Sequence, residues 1–368
     1  MTQAPRIGFC KNCQHRHLCF QKLHLHLRFL SIYTQLSMKS LVFNTLHQPL
    51  DYTESPTPVP AEGEVLISLR AAALNHRDVY ITKGQYAGIK TPCILGSDGA
   101  GEYKGRRVLI NPSMDWGDDP RAQGRSYRVL GMPDNGTFAE QICVPKANIH
   151  AVPAHLSWEE AAALPLAGLT AWRVLFTRCR LKKGERVLVS GVGGGVALFV
   201  LQFAVAAGAE VFVTSGSEEK IEKAIRLGAR GGVSYRSEGW DKQLKQASGG
   251  GFDVVIDSAA GEGFAALAGL CNPGGRIGLY GGSLGKINGL SPQLVFWKQL
   301  SILGSTMGTP TDFRQMLTFI NRHELRPVVD TVFALSDGNA AMQRMEAGDQ
   351  FGKIVLKMYP DLSDFEDF

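Results

Sequence analysis

Gly191, Gly194 and Ala197 stand three residues apart in RVLVSGVGGGVALFVLQFAVAAGAEVFVTS, residues 186–215. A short apolar run precedes them, an apolar helix-length run follows, and a second strand-like run closes the stretch. Small residues at this spacing suit a strand that turns sharply into a helix. The first permits the turn, the second lets a pyrophosphate approach the backbone, and the third lets helix pack on strand. The helix N-terminus then offers unpaired N–H groups to an anion, so the chemistry implied is dinucleotide binding. At the end of the second strand, VFVTSGSEEK carries Thr214, Ser215, Gly216 and Ser217 where an NAD site places Asp or Glu for the ribose 2′-OH. The hydroxyls of Ser215 and Ser217, with Lys220, suit a 2′-phosphate, and NADP(H) is the expected cofactor. The competing reading makes Glu218 and Lys220 the solvated first turn of a helix.

These residues need a scaffold of alternating elements, and the sequence supplies one. Strand cores fall near Val187, Val211, Val233, Val254, Ile277 and Ile302, with helical text between most of them. Six such strands make a full Rossmann-type doubly wound parallel sheet. Before it, from Met38 to about Leu156, short alternating runs such as EVLISLRAAAL, RRVLINP and FAEQICVP are separated by Gly and Pro, the pattern of a small barrel-like β domain. SWEEAAALPLAGLTAWRVLF, residues 157–176, opens with Ser157 as N-cap and Glu160 at the capping-box position, and reads as the helical passage between domains. Past Gly304 come a helix, DFRQMLTFINRHEL, and short strands ending in FGKIVLKM.

A chain of 368 residues exceeds what one core usually supports. With 44% hydrophobic and 20% charged residues it has the composition of a globular protein, and no apolar run approaches a membrane span. The net charge of +5 lies wholly in the first 37 residues, in Arg6, Lys11, Arg16, Lys22 and Arg28. The body is neutral, which gives no support for nucleic-acid binding. Residues 1–37 lack acids and crowd three cysteines and four histidines without a metal-ligand spacing beyond one C-x-x-C. They read as a disordered or upstream extension before Met38, with a basic transit-like segment as the competing reading. The odd count of seven cysteines and the wide spacing of Cys93, Cys143, Cys179 and Cys271 fit a reducing compartment, so a cytoplasmic location is expected, or a mitochondrial one if residues 1–37 are a genuine transit segment.

In order, ALNHRDVYITKG, ILGSDGAGEY, GTFAE, AAALPLAGLTAW, VLVSGVGGGVA and FGKIVL resemble the medium-chain dehydrogenase/reductase superfamily, in particular its zinc-independent quinone-oxidoreductase-like branch. The resemblance spans nearly all of residues 38–358. It implies an α/β protein with a GroES-like β-barrel catalytic domain over 38–162, completed by 306–368, and a Rossmann NADP-binding domain over 163–305. Zinc enzymes of this family carry a cysteine ligand at the ALNHRD position and a His-Glu pair at the ILGSDGAG position, where this chain has Asn75, Ser97 and Asp98. An amide and a hydroxyl are poor zinc ligands, and Glu102 to Asn135 holds none of the cysteines of a structural zinc lobe, so no metal is expected.

Without a Lewis acid the chemistry narrows to acceptors that spread negative charge themselves, quinones and α,β-unsaturated carbonyls. The resemblance makes Asn75, Tyr80 and Tyr86 the candidate donors to the developing oxyanion, while a tyrosine near a strand end also serves plain packing. Asp78 is expected to fix its loop. The resemblance also places Tyr235 beside a 2′-phosphate, and Thr170, Gly281 and Met307 near the nicotinamide; Lys353 receives no position. It further implies a homodimer pairing through the edge strand LSILGST. Alternatives are an enoyl-thioester reductase, an alcohol-dehydrogenase-like enzyme, and a non-catalytic NADPH-binding protein like the crystallin relatives. The segment from Asn111 to Pro133 is a pocket wall or a solvated surface loop, with Trp116, Arg121 and Tyr127 as candidate contacts.

Overall fold

The computed structural model describes residues 36–359, so the expectations for the N-terminal extension lie almost wholly outside the described residues. Alternation in Glu64–Ala73 buries Val65, Ile67 and Leu69 on one face, and the closing Ala71–Ala73 are buried throughout. This strand is the hub of a seven-stranded sheet. It pairs antiparallel with Gln141–Pro145, with Asp98–Tyr103 and with the late strand Lys353–Lys357, which itself pairs in parallel with Val329–Ala334. A three-stranded sheet of Asp51–Pro56, Ser37–Phe43 and Cys93–Ile94 stands beside it. Leu41, Phe43, Ile67, Leu69, Phe138 and Ile354 fill the interior and are fully buried.

The six expected parallel strands are all present, in the spatial order Gly231–Ser234, Glu210–Ser215, Arg186–Val189, Phe252–Asp257, Cys271–Leu279, Ser301–Gly304. Period-2 alternation divides their side chains between two layers. Val187, Val189, Val211, Val213 and Val254 pack with Phe199 and Phe203 of the helix Gly195–Ala206. Leu188, Phe212 and Val255 pack on the other face with Phe264 and Leu267. Phe203 is fully buried among aromatic neighbours, and its truncation to alanine should cost about 3–5 kcal/mol.

The passage between the two sheets starts as expected. Ser157 Oγ accepts from Glu160 N at 3.1 Å and Glu160 Oε2 accepts from Ser157 N at 2.8 Å. It then departs from the single helix read from the sequence. The helix Trp158–Ala163 stops, Pro165 starts a second one, Pro165–Trp172, and a wider π-type turn follows over Arg173–Arg178. Proline lacks the N–H a continuing helix needs but suits a first turn, so the break falls where the chemistry requires. The second helix packs against both Gly195–Ala206 and Pro310–His323, holding the two sheets around a shared cleft. Cys93, Cys143, Cys179 and Cys271 are unpaired, and burial pushes the Cys93 thiol up to about 11 and those of Cys179 and Cys271 to about 12, so these three stay protonated.

Candidate active site

In the parallel sheet the strand order reverses between Arg186–Val189 and Phe252–Asp257, and the crevice outside their carboxyl ends is where a dinucleotide fits such a sheet. A cleft of about 460 Å³ opens there. Gly191 makes the turn with φ of +70°, a conformation that favours glycine, and a Cβ on either Gly191 or Gly194 would meet no heavy atom within 4 Å. That open space faces the N-terminus of the helix Gly195–Ala206, whose N-cap is Gly194, and Ala197 is buried one turn inside. The residues therefore fit a pyrophosphate. From across the cleft Gly352 N donates to Gly193 O at 2.9 Å, and Lys220 Nζ donates to Gly348 O at 2.9 Å, so the chain's late segment is tied over the glycine turn.

Thr170, Gly281 and Met307 line this cleft as well. Thr170 Oγ1 donates to Leu166 O at 2.8 Å, and a Cβ on Gly281 would stand 2.7 Å from Ser258 O, so the backbone runs close there. Ser215, Ser217 and Tyr235 lie outside it, grouped at the ends of the second and third strands. Ser217 N donates to Ser215 Oγ at 3.3 Å and Tyr235 N donates to Ser215 O at 3.1 Å. The space above Gly216 is flanked by the Tyr235 hydroxyl and Arg236 Nε, 2.7 and 3.0 Å from where a Cβ would be. Arg236 was not among the expected residues. Lys220 is drawn away from this group by its bond to Gly348.

At the other end of the cleft stand Asn75, Tyr80 and Tyr86. Asn75 caps the helix His76–Thr82, and its backbone N donates to Asp78 Oδ2 at 2.8 Å. Its side-chain amide lies inside a charged cluster. Lys353 Nζ donates to Asn75 Oδ1 at 2.6 Å, to Leu74 O at 2.6 Å and to Asp98 Oδ2 at 3.0 Å. Asn75 Nδ2 donates to Asp98 Oδ2 at 2.9 Å, and Asp98 Oδ1 accepts from Leu166 N at 2.7 Å. Lys353 and Asp98 are both buried, with side chains 4% and 0% exposed.

A second cation sits on Ser97. Arg77 donates through NH1 to Ser97 Oγ at 2.5 Å and to Leu130 O at 2.8 Å, and through Nε to the Tyr86 hydroxyl at 3.3 Å. Because that hydroxyl accepts from Arg77, its own proton is free for an acceptor in the cleft. Asp78, fully buried, has Oδ1 without a hydrogen-bond partner, and burial pushes its carboxyl up to about 6. Among the described residues, no group of three or more His, Cys, Asp or Glu side chains could hold a metal ion.

The Asn111 to Pro133 segment contributes Val129 to the cleft, but Trp116, Arg121 and Tyr127 do not line it. Trp116 is buried beneath the Arg173 guanidinium, 4.6 Å from ring centroid to Cζ, with Tyr127 edge-on at 5.4 Å. Arg121 is exposed and pairs with Asp119 at 2.9 Å.

Comparison with known proteins agrees with this architecture. The model for the alcohol dehydrogenase GroES-like domain matches residues 61–154, and that for the zinc-binding dehydrogenase matches residues 195–322. The zinc-type alcohol dehydrogenase-like protein YogA of Leptosphaeria maculans is 34% identical, over 85% of this chain and 96% of that protein. The quinone oxidoreductase of Mus musculus is 30% identical, over 81% of this chain and 90% of that protein. A crystal structure of an NAD-dependent alcohol dehydrogenase superposes with a TM-score of 0.83 at 35% identity, covering 88% of this chain and all of that one. The chain belongs to the medium-chain dehydrogenase/reductase superfamily of nicotinamide-dependent oxidoreductases.

Proposed function

We propose that this chain is an NADPH-dependent, zinc-independent reductase delivering hydride to quinones or α,β-unsaturated carbonyls. The observation that carries the reading is the pair of cations at the three positions where zinc enzymes of the family carry ligands. Lys353 sits on Asn75 and Asp98, and Arg77 sits on Ser97. A divalent ion placed here would face two buried positive charges and find an amide, a hydroxyl and one carboxylate already bound to Lys353, so the donor set does not fit zinc.

The nicotinamide cofactor fits the opposite end. Gly191, Gly194, Ala197 and the following helix N-terminus would hold its pyrophosphate, with Thr170, Gly281 and Met307 toward the ring. When bound and reduced, it supplies the hydride. The substrate's carbon–carbon π electrons then move onto its carbonyl oxygen, and solvent water supplies the proton that completes reduction. Asn75 Nδ2, Tyr86 and Tyr80 would donate to that oxygen, and one well-placed donor is worth on the order of 100- to 1,000-fold in rate. An isolated carbonyl would leave an alkoxide without the several kcal/mol that a Lewis acid contributes, which favours conjugated acceptors.

Preference for NADPH is supported by the hydroxyls of Ser215, Ser217 and Tyr235 and the Arg236 guanidinium around Gly216, with no acid at the strand end. A homodimer is supported by the edge strand Ser301–Gly304, with Ile302 exposed and Phe296 and Trp297 exposed just before it.

The deciding experiment is oxidation of NADPH and NADH against quinones, enones, enoyl thioesters and simple ketones, with reduction of NADP+ and NAD+ followed against simple alcohols. A lower KM for NADPH with turnover of quinones or enones is expected, and equal KM values would remove the cofactor preference. Turnover of simple alcohols or ketones alone would defeat the reading, and tight NADPH binding without turnover would favour a binding protein. One tightly held metal per chain would overturn zinc independence, and a monomer by light scattering the dimer.

A further inference from the structure

The Asn75 amide lies between an ammonium, which can only donate, and a carboxylate, which when ionised can only accept. This fixes which end is which. Oxygen must face Lys353 and nitrogen must face Asp98, because the reverse sets NH₂ against NH₃⁺ and C=O against a carboxylate at under 3 Å. All three ammonium hydrogens are matched by Leu74 O, Asn75 Oδ1 and Asp98 Oδ2, and Leu166 N holds the other Asp98 oxygen. One Nδ2 hydrogen of Asn75 remains, on a residue that lines the cleft. The lysine reaches this point across Gly195, where a Cβ would stand 2.7 Å from Lys353 Cδ.

We propose that Lys353 and Asp98 are positioning residues that lock Asn75 as a hydrogen-bond donor toward the substrate oxygen, giving the protein a rigid neutral donor where its zinc relatives use an ion. The inference rests on the reading of the cleft as a site that reduces conjugated carbonyls. It differs from a plain staple between the late strand and the hub strand, because a staple needs the charges balanced and nothing more.

The test is the pair K353M and K353M/D98N, with N75A in each background. The single variant leaves a carboxylate buried alone and should lose thermal midpoint and activity together. The double variant removes both charges, so its midpoint returns toward wild type with NADPH affinity unchanged, while kcat for an enone stays about 100-fold low. In the wild-type background N75A should cost a similar factor, and in the double variant almost nothing more, since the donor is already unlocked. Wild-type kcat in the double variant, or an N75A loss that multiplies undiminished onto it, overturns the proposal.

Titration of bound 4-nitrophenol gives a readout that needs no turnover. Its phenolate should be favoured in the wild type and not in the double variant. Identical titrations, or no binding to the wild type, overturn the lock. If the probe shows the difference while the wild type reduces no quinone or enone, the reductase reading fails and the lock stands.

Discussion

Two buried ion pairs of similar length lie at opposite ends of the helix Pro165–Trp172, and they differ in geometry. Lys353 meets Asp98 at 3.0 Å and Arg173 meets Asp312 at 2.7 Å, and all four side chains are less than a tenth exposed. The lysine brings one compact charge to a point and gathers three acceptors, two of them on the cleft-lining Leu74 and Asn75. The arginine spreads a planar fork over several elements. It donates to Asp312, to Pro120 O at 2.7 Å and to Arg121 O at 3.2 Å, and lies over Trp116. Fork geometry suits a latch between segments, whereas a point charge suits the orientation of one small group. The same pairing thus serves stability in one place and polarity in the other. Asp78 supplies the contrast to both, a buried carboxylate hydrogen-bonded to the Asn75 backbone with no cation bonded to it.

The largest expected effect comes from adding a carboxylate to the cleft without a partner. Gly194→Asp meets no protein atom at its Cβ and places a favoured residue at a helix N-cap, so the thermal midpoint should hold or rise. Opposed to a pyrophosphate, the same charge costs several kcal/mol, and calorimetric titration should find NADPH binding abolished. Retained binding would mean that the glycine turn does not hold the cofactor.

Arg173→Met comes next. It strands Asp312 and should lower unfolding free energy by about 3–5 kcal/mol in urea titrations, with kcat per folded molecule largely kept. A stable variant with lost kcat would reverse the division between the two pairs.

Asp78 tests the unpaired case through pH. Its folded pKa of about 6 exceeds the unfolded value of about 3.9, so the folded state holds the proton more tightly. Its contribution is therefore fully present below about pH 4 and is lost as pH rises through about 6, by at most about 3 kcal/mol. Asp78→Asn should remove that slope, so that the variant gains on the wild type between about pH 4 and 6 and keeps a constant lead above. Parallel stability curves across that window would show that Asp78 stays ionised.

The smallest effect is expected from Thr177→Val, which deletes a 2.6 Å bond from Thr177 Oγ1 to Asp312 Oδ1. A loss of about 1.5 kcal/mol without change in kcat would place Asp312 wholly on the structural side.

The glycine-turn end of the cleft was legible in the sequence because its signals are local. Gly191, Gly194 and Ala197 act within one turn, and the alternation of Val187, Leu188 and Val189 states which layer each side chain joins. The opposite end was legible only in part. Asn75, Tyr80 and Tyr86 could be named from one short stretch by their resemblance to family positions, but the Asn75 side chain is hydrogen-bonded to Asp98 and Lys353, and Lys353 lies 278 residues beyond Asn75. No periodicity records such a meeting, and a lysine in FGKIVL reads as one more charge near a strand end. Trp116 and Tyr127 misled for the converse reason. An unusual loop composition marks a segment as special without saying whether its aromatics face a ligand or, as here, pack on each other under the Arg173 guanidinium. Lys220 sat in the right helix, yet a carbonyl 128 residues away claimed its ammonium.

The bond from Gly352 N to Gly193 O also sets an order of events in biosynthesis. The strand that carries Lys353 leaves the ribosome long after the strands and glycine turn it completes. Until it arrives, the hub strand lacks a neighbour, Asp98 lacks its counter-charge and the glycine turn lacks its cover. Contacts of such long separation form late in folding. A nascent chain can therefore assemble most of both sheets and still have no working cleft, so capture of a nicotinamide cofactor should wait until the Lys353–Lys357 strand has emerged and paired.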